Sequence, residues 1–250
     1  MKTSIAALVG AVLLLCAPLA QAAPVNGTGL ITSNVIMGTG ITDGAWTGVS
    51  VGGLELALRA KQRFDTTGQP TSVYNYDGDR TYSFDRAGNA IPDGLEVFNF
   101  EFSINTDTAD ADDTPAMVLT DYMFSLTASF GGPGNDGPSL YNLPIGNSYG
   151  FNSTPQGGGE EDRSLEATRN VAQNSLNNGF FSIIGFPPPG AGTYVYTLSA
   201  FGPSSNAVPV ASTSIDVIVT DVAPVPLPAA LPLMLAGLGG LAALRRRKRG

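Results

Sequence analysis

Apolar and polar residues alternate with a period of two along several stretches of the chain, the pattern of strands with one buried face. In Leu54 to Phe64, the side chains Leu54, Leu56, Leu58, Ala60 and Phe64 fall on one side and Glu55, Arg59, Lys61 and Arg63 on the other. Phe98, Phe100, Phe102 and Ile104 repeat the pattern, and Val118, Tyr122, Phe124, Leu126, Ala128 and Phe130 extend it. Tyr194, Tyr196, Leu198 and Ala200 follow, and then Ile215, Val217 and Val219. Clusters such as Asp77-Gly78-Asp79, Asn135-Asp136-Gly137 and Pro187-Pro188-Pro189-Gly190 bound these runs as turns. Strands of this kind bury their apolar faces by packing two sheets together, so the pattern predicts an all-β, antiparallel β-sandwich of jelly-roll or immunoglobulin-like type. Thr193 to Phe201 and Ser212 to Asp221 read as its closing hairpin. One helix is expected, over Leu165 to Leu176 with Ser164 as N-cap. The Gly- and Pro-rich stretch from Gly131 to Gly159 has little periodicity and reads as a long excursion between strands.

The two ends differ in kind from this body. Lys2, the apolar run Ile5 to Leu15 and the small residues Ala20-Gln21-Ala22 are the three parts of a helical signal peptide, residues 1–22. Ala20, Ala22 and Ala23 then define the cleavage site for signal peptidase. At the other end, Leu227 to Leu244 carries no charge over 18 residues, about 27 Å if helical and just enough to span a hydrocarbon core. Pro228, Pro232, Gly237, Gly239 and Gly240 make it a poor helix. The basic terminus Arg245, Arg246, Arg247, Lys248 and Arg249 would stay cytoplasmic, which places the body outside. The chain divides accordingly into a leader (1–22), a secreted domain (23–224) and a C-terminal segment (225–250).

Charge sharpens the contrast. All 21 acidic residues lie between Asp43 and Asp221, where only 7 of the 13 basic residues lie, an excess of 14 negative charges hidden by the overall −8. A domain so acidic repels nucleic acid and anionic lipid, and suits solubility, divalent cations or a hydrated polysaccharide matrix. Cys16, inside the leader, is the sole cysteine, and Leu15 before it is not the small residue a lipoprotein site needs. There is no histidine. A disulfide, a thiolate nucleophile, a Ser-His-Asp triad and the common zinc sites are therefore unavailable to the secreted domain.

Three constellations remain as candidate chemistry. Asp107, Asp110, Asp112 and Asp113 in one turn, with Asp77 and Asp79 in another, offer the hard oxygen donors that calcium prefers, although the glycine and distal glutamate of an EF-hand loop are missing. A glycosidase needs two facing carboxylates; Glu96 and Glu101 differ by an odd offset, which sends them to opposite faces of a regular strand, and Glu160, Glu161 and Asp162 are adjacent loop charges. Trp46, Tyr74, Tyr76, Tyr82, Tyr141 and Tyr149 lie in or near turns, where rings with polar tips can stack on sugars. The basic set Arg59, Lys61 and Arg63 is expected to pair with carboxylates on neighbouring strands.

Val225-Pro226-Leu227-Pro228-Ala229, followed by the apolar segment and the arginine-rich end, resembles the VPLPA-type C-terminal sorting signal, a relative of the PEP-CTERM tails recognised by exosortases. The resemblance covers only the tail and implies an address: a transient inner-membrane anchor removed by an exosortase-like enzyme, leaving the body at the bacterial cell surface or in the exopolysaccharide. The expectation is an exported surface or matrix protein, structural or adhesive and without enzymatic activity. A calcium- or carbohydrate-binding module is the alternative, and a glycoside hydrolase the remote one.

Overall fold

A computed structural model describes residues 29–131, 140–141, 148–180, 190–202 and 208–221. Among them the chain forms ten strands in two packed five-stranded sheets, a sandwich-like all-β fold. One sheet has the order β1 (Thr47–Val51), β2 (Leu54–Gln62), β4 (Phe98–Asn105), β8 (Val171–Asn177), β7 (Ser148–Gly150). The other has the order β3 (Thr81–Asp85), β10 (Ala211–Thr220), β9 (Gly192–Phe201), β5 (Met123–Phe130), β6 (Leu140–Tyr141). The leader with Ala20, Ala22 and Ala23 lies outside the described residues, as do the tail motif Val225–Ala229 and the basic end Arg245–Arg249. Among the described residues no helix is long and apolar enough to cross a membrane.

The alternating residues of the sequence supply the core. Leu54, Leu56, Leu58 and Ala60 of β2 and Phe98, Phe100, Phe102 and Ile104 of β4 meet Tyr194, Tyr196, Leu198 and Ala200 of β9 and Ile215, Val217 and Val219 of β10. Aromatic rings bridge the sheets: Phe100 stacks on Tyr196 at 4.4 Å between centroids, and Phe98 meets Tyr194 edge-on at 5.4 Å. Each such pair adds about 0.5–1.5 kcal/mol beyond its buried area. β1 and β2 form a hairpin pairing Val51 with Leu54, and Gly52 and Gly53 occupy its tip at φ 58° and 93°. Two successive left-handed residues match the twist of the strands, and glycine adopts them without strain.

Four expectations need correction. The sandwich is not wholly antiparallel, because β3 runs parallel to β10, Asp216 opposite Thr81 through Thr220 opposite Asp85. Parallel neighbours need a long crossover, and the chain between β3 and β10, which runs through β4 to β9, supplies it. The helix expected over Leu165 to Leu176 is instead a 3-10 turn, Arg163–Ala167, and the strand β8. Ala172 and Leu176 face the core four residues apart, a spacing that a strand and a helix share. The turn is capped by Asp162, whose Oδ1 accepts the Ser164 amide at 2.9 Å, and not by Ser164. Finally, the run from Val118 becomes a strand only at Met123, because Leu119–Asp121 is a 3-10 turn closed by the Asp121 carboxylate on the Val118 amide at 2.8 Å.

The outer face of the first sheet is roofed. Residues 29–46 cross it, and Ile31, Val35, Met37 and Trp46 form a second apolar cluster around Ala57 of β2. Gln173 of β8 fastens this roof: its Oε1 accepts the Ile36 amide at 2.8 Å, and its Nε2 donates to the Asn34 carbonyl at 2.9 Å and to Ser33 and Ser103 hydroxyls. The amides of Gly157 and Gly159 donate to the Val35 and Ile36 carbonyls and hold the roof from above. Beneath it lie charges that alternation places outward on β2 and β4. Glu101 accepts Arg59 Nε on one oxygen and Lys61 Nζ on the other, both at 2.6 Å, and Arg59 and Glu101 side chains are 0% exposed. Arg59 also donates to the Thr42 and Gly44 carbonyls, and its guanidinium lies 4.0 Å from the Trp46 ring centroid and 4.7 Å from that of Tyr74.

Removing one partner of a buried ion network strands the others, at a cost of about 3–5 kcal/mol. Glu101→Gln should lower the unfolding free energy by that amount in denaturant titration. Glu55→Gln, altering a carboxylate that binds Thr32 at an exposed edge, should cost no more than about 1 kcal/mol. Equal, small losses for the two variants would contradict the buried network.

Candidate functional site

The acidic turn after β4 is built by its own carboxylates. Asp107 accepts the Ala109 amide on Oδ1 and the Ala116 amide on Oδ2; Asp110 Oδ1 accepts those of Asp112 and Thr114; Asp112 accepts the Thr114 hydroxyl; Asp113 Oδ1 accepts the Ser153 hydroxyl. These are the local side chain to backbone bonds that make Asp a turn former. Two asparagines clamp the turn to the sandwich: Asn152 donates to the Asp107 and Asp110 carbonyls at 3.0 and 2.8 Å, and Asn170 to the Asp107 carbonyl at 3.0 Å. In the second turn Asp77 Oδ1 accepts the Asp79 and Thr81 amides, which hold the Asp77 carboxyl below its ordinary range against a desolvation that pushes it up. Among the described residues no three His, Cys, Asp or Glu side chains gather as a metal site.

The turn aromatics divide by burial. Trp46, Tyr82 and Tyr149 are 0–1% exposed and cannot offer a face to a sugar. Tyr82 donates to the Ala45 carbonyl at 2.5 Å and Trp46 Nε1 to Asp43 at 2.8 Å. Tyr74 and Tyr76 are half-buried, the first against Arg59 and the second stacked on Tyr82 at 4.8 Å. The side chain of Tyr141 lies outside the described residues.

The carboxylates suggested for glycoside cleavage are separated. Glu101 lies under the roof, whereas Glu96 is buried at the far end of the core, with Arg86 Nε at 3.5 Å and Tyr194 Oη at 3.3 Å. Glu160 binds Arg169 at 3.1 Å. Burial is the main force on Glu96 and raises its carboxyl above the ordinary range, against the Val97 amide and Arg86.

Two openings in the surface have the size of small-molecule sites, about 300–1,000 Å³. The first, of about 360 Å³, enters between the sheets over Phe102, Tyr122 and Phe124, with Tyr149, Arg163 and Glu166 at its polar side. Tyr149 donates to Glu166 Oε1 at 2.7 Å, and Arg163 Nε stands 3.5 Å from the same oxygen. Burial, with the Glu166 hydrogen bond second, raises the Tyr149 phenol well above its ordinary range, so it stays a neutral donor. Glu166 is the one carboxylate among the lining residues, where a glycosidase needs two.

The second opening, of about 510 Å³, lies on the outer face of the first sheet where the roof ends. Lys61 of β2, Asn99 of β4 and Ser175 of β8 form its floor, with Arg63 just past the end of β2, and Thr71 and Ser72 on one wall. Asn99 stands opposite Lys61 in the ladder and donates to Ser175 Oγ at 3.1 Å. This grouping was hidden in the sequence because β8 reads as helix, which removes the strand that completes the floor. The polar alternation Asn99, Glu101, Ser103, Asn105 was the signal for it.

No family model, curated protein or solved structure matches the chain.

Because the Glu96 carboxyl is raised on folding, it binds its proton more tightly folded than unfolded. Its burial is therefore without penalty below the unfolded carboxylate pKa of about 4.3 and increasingly costly as pH rises through the folded value. Glu96→Gln should match the parent in stability at acid pH and surpass it progressively toward neutrality in paired denaturant titrations; a gap that shrinks with rising pH would overturn this. The self-bonded acidic turns should leave thermal unfolding unchanged between calcium and EDTA. A calcium-dependent rise in melting temperature, abolished by Asp112→Asn with Asp113→Asn, would show that the turn rearranges to coordinate the ion.

Proposed function

We propose that the chain is an exported bacterial surface or exopolysaccharide-matrix protein, structural or adhesive and non-enzymatic, delivered by its leader and sorted through its tail by an exosortase-like enzyme. The finer architecture we read as immunoglobulin-like and not jelly-roll. The orders β2-β4-β8-β7 and β10-β9-β5-β6 follow the ABED and GFC pattern with an added edge strand, and β3 takes the remaining edge beside β10. Such a sandwich is a scaffold and carries no activity by itself.

The observation that carries the reading is where the tail leaves the domain. β10 ends at Thr220, one residue before Asp221 and five before the sorting motif. It is an internal strand, paired with β9 from Ala211 to Val219 and with β3 from Asp216 to Thr220. A domain attached through this end passes load into the middle of a sheet, where ladders on both sides resist it, and not into an edge that can peel. The acidic excess supports the same reading, since it keeps a crowded surface protein soluble.

Tagged full-length chain, expressed in an exosortase-bearing bacterium, should appear in the surface or matrix fraction shortened by its tail. The double variant Pro226→Ala, Pro228→Ala should remain in the membrane fraction at full length. Identical mass and fractionation of the two proteins would contradict tail-directed sorting.

A further inference from the structure

We propose that the cleft at the end of the roof, floored by Lys61, Arg63, Asn99 and Ser175, binds an acidic glycan: a sugar ring carrying an isolated carboxylate. The proposal deepens the matrix reading and rests on it for the source of the ligand, but the site itself follows from charge and geometry. Arg59 and Lys61 share the single carboxylate of Glu101, which leaves one cation uncompensated. Among the described residues Arg63 has no acidic partner; its guanidinium lies 5.5 Å from the Phe64 ring centroid and borders the cleft. In a body that carries 14 excess negative charges overall, Lys61 and Arg63 thus meet at one concave point whose lining includes no carboxylate.

The neighbours of these cations are suited to a sugar and not to a bare anion. The Asn99 amide and the hydroxyls of Ser175, Thr71 and Ser72 border the same space and match ring hydroxyls, while a guanidinium fork matches a carboxylate in two parallel hydrogen bonds. The walls are built. Asp65 Oδ1 accepts the Thr67 and Gln69 amides and the Thr67 hydroxyl, which braces the loop carrying Thr71 and Ser72 from within, and the Gln62 amide donates to the Val73 carbonyl, which ties its far end to β2. The Arg59–Glu101 pair fixes the opposite side by anchoring the roof. The surrounding negative field, acting within a Debye length of about 8 Å at physiological salt, disfavours a densely charged polymer and selects a sparsely charged one.

The test is calorimetric titration of the full chain, purified in mild detergent, with digalacturonic acid, digalactose, acetate and polygalacturonate in turn. Digalacturonic acid should bind saturably and weaken with added salt, and digalactose and acetate should bind at least about tenfold more weakly, the value of one charge-assisted hydrogen bond. Arg63→Gln should lose about tenfold in affinity with an unchanged melting temperature; Arg163→Gln, which removes the same charge beside the other opening, should lose none. The proposal is overturned if digalactose or acetate binds as tightly as digalacturonic acid, if polygalacturonate binds more tightly per carboxylate, if Arg63→Gln is silent, or if no probe saturates. Sorting of the tail is read by fractionation and not by affinity, so failure here and failure of the sorting reading are distinguishable.

Discussion

Three charged side chains under a loop organise this domain. Arg59, Glu101 and Lys61 stand on the outer face of a sheet, where alternation puts them, yet Arg59 and Glu101 are sealed from water. Each buried ion costs several kcal/mol in desolvation unless its partners are supplied in full. The partners come from three places: the facing strand, the Thr42 and Gly44 carbonyls, and the aromatic faces of Trp46 and Tyr74. Residues 29–46 are thereby part of the fold and not a leader to it. Their path is set again by Gln173, whose amide spends both its oxygen and its nitrogen on them, and by the glycine-rich segment 157–159, whose amides close over Val35 and Ile36.

The same roof produces a concave basic feature. Along β2 the outward cations pass from Arg59, fully covered, to Lys61, whose side chain is 7% exposed, to Arg63, half-exposed beyond the strand. The roof ends between the first and the last of them. A polar floor continuous across β2, β4 and β8 is left uncovered at that point and walled by the loop that follows β2. The acidic turn after β4, by contrast, spends its carboxylates on nearby amides and hydroxyls, and its backbone carbonyls are held to the sandwich by Asn152 and Asn170.

How far the sequence could be read follows from which faces are single-sided. β2, β4, β5, β9 and β10 each have an apolar inner row, so period two is plain in Leu54 to Ala60, in Phe98 to Ile104 and in Ile215 to Val219. β8 lacked such a row: Val171 and Gln173 are buried on its roofed side as Ala172 is on the other, so alternation is erased and the spacing of Ala172 and Leu176 imitates a helix. Trp46, Tyr82 and Tyr149 resembled surface rings because nothing in their neighbours says that a distant segment covers them. The pairing of Arg59 and Lys61 with a strand carboxylate was legible from cross-strand charge alone. Its burial was not, since that depends on residues 29–46, which have no periodicity to read. β3 pairs in parallel with a strand far along the chain, a relation that local pattern does not encode.

The claim that the roof is welded to the sheet is tested most directly by native-state hydrogen exchange. The Ile36 amide, donated to Gln173, and the Gly157 and Gly159 amides, donated to the roof's carbonyls, should exchange only with global unfolding, at the same free energy as core amides of β4. Exchange of these three amides at loop-like rates while β4 stays protected would mean that the roof opens on its own, and that Arg59 and Glu101 do not hold it.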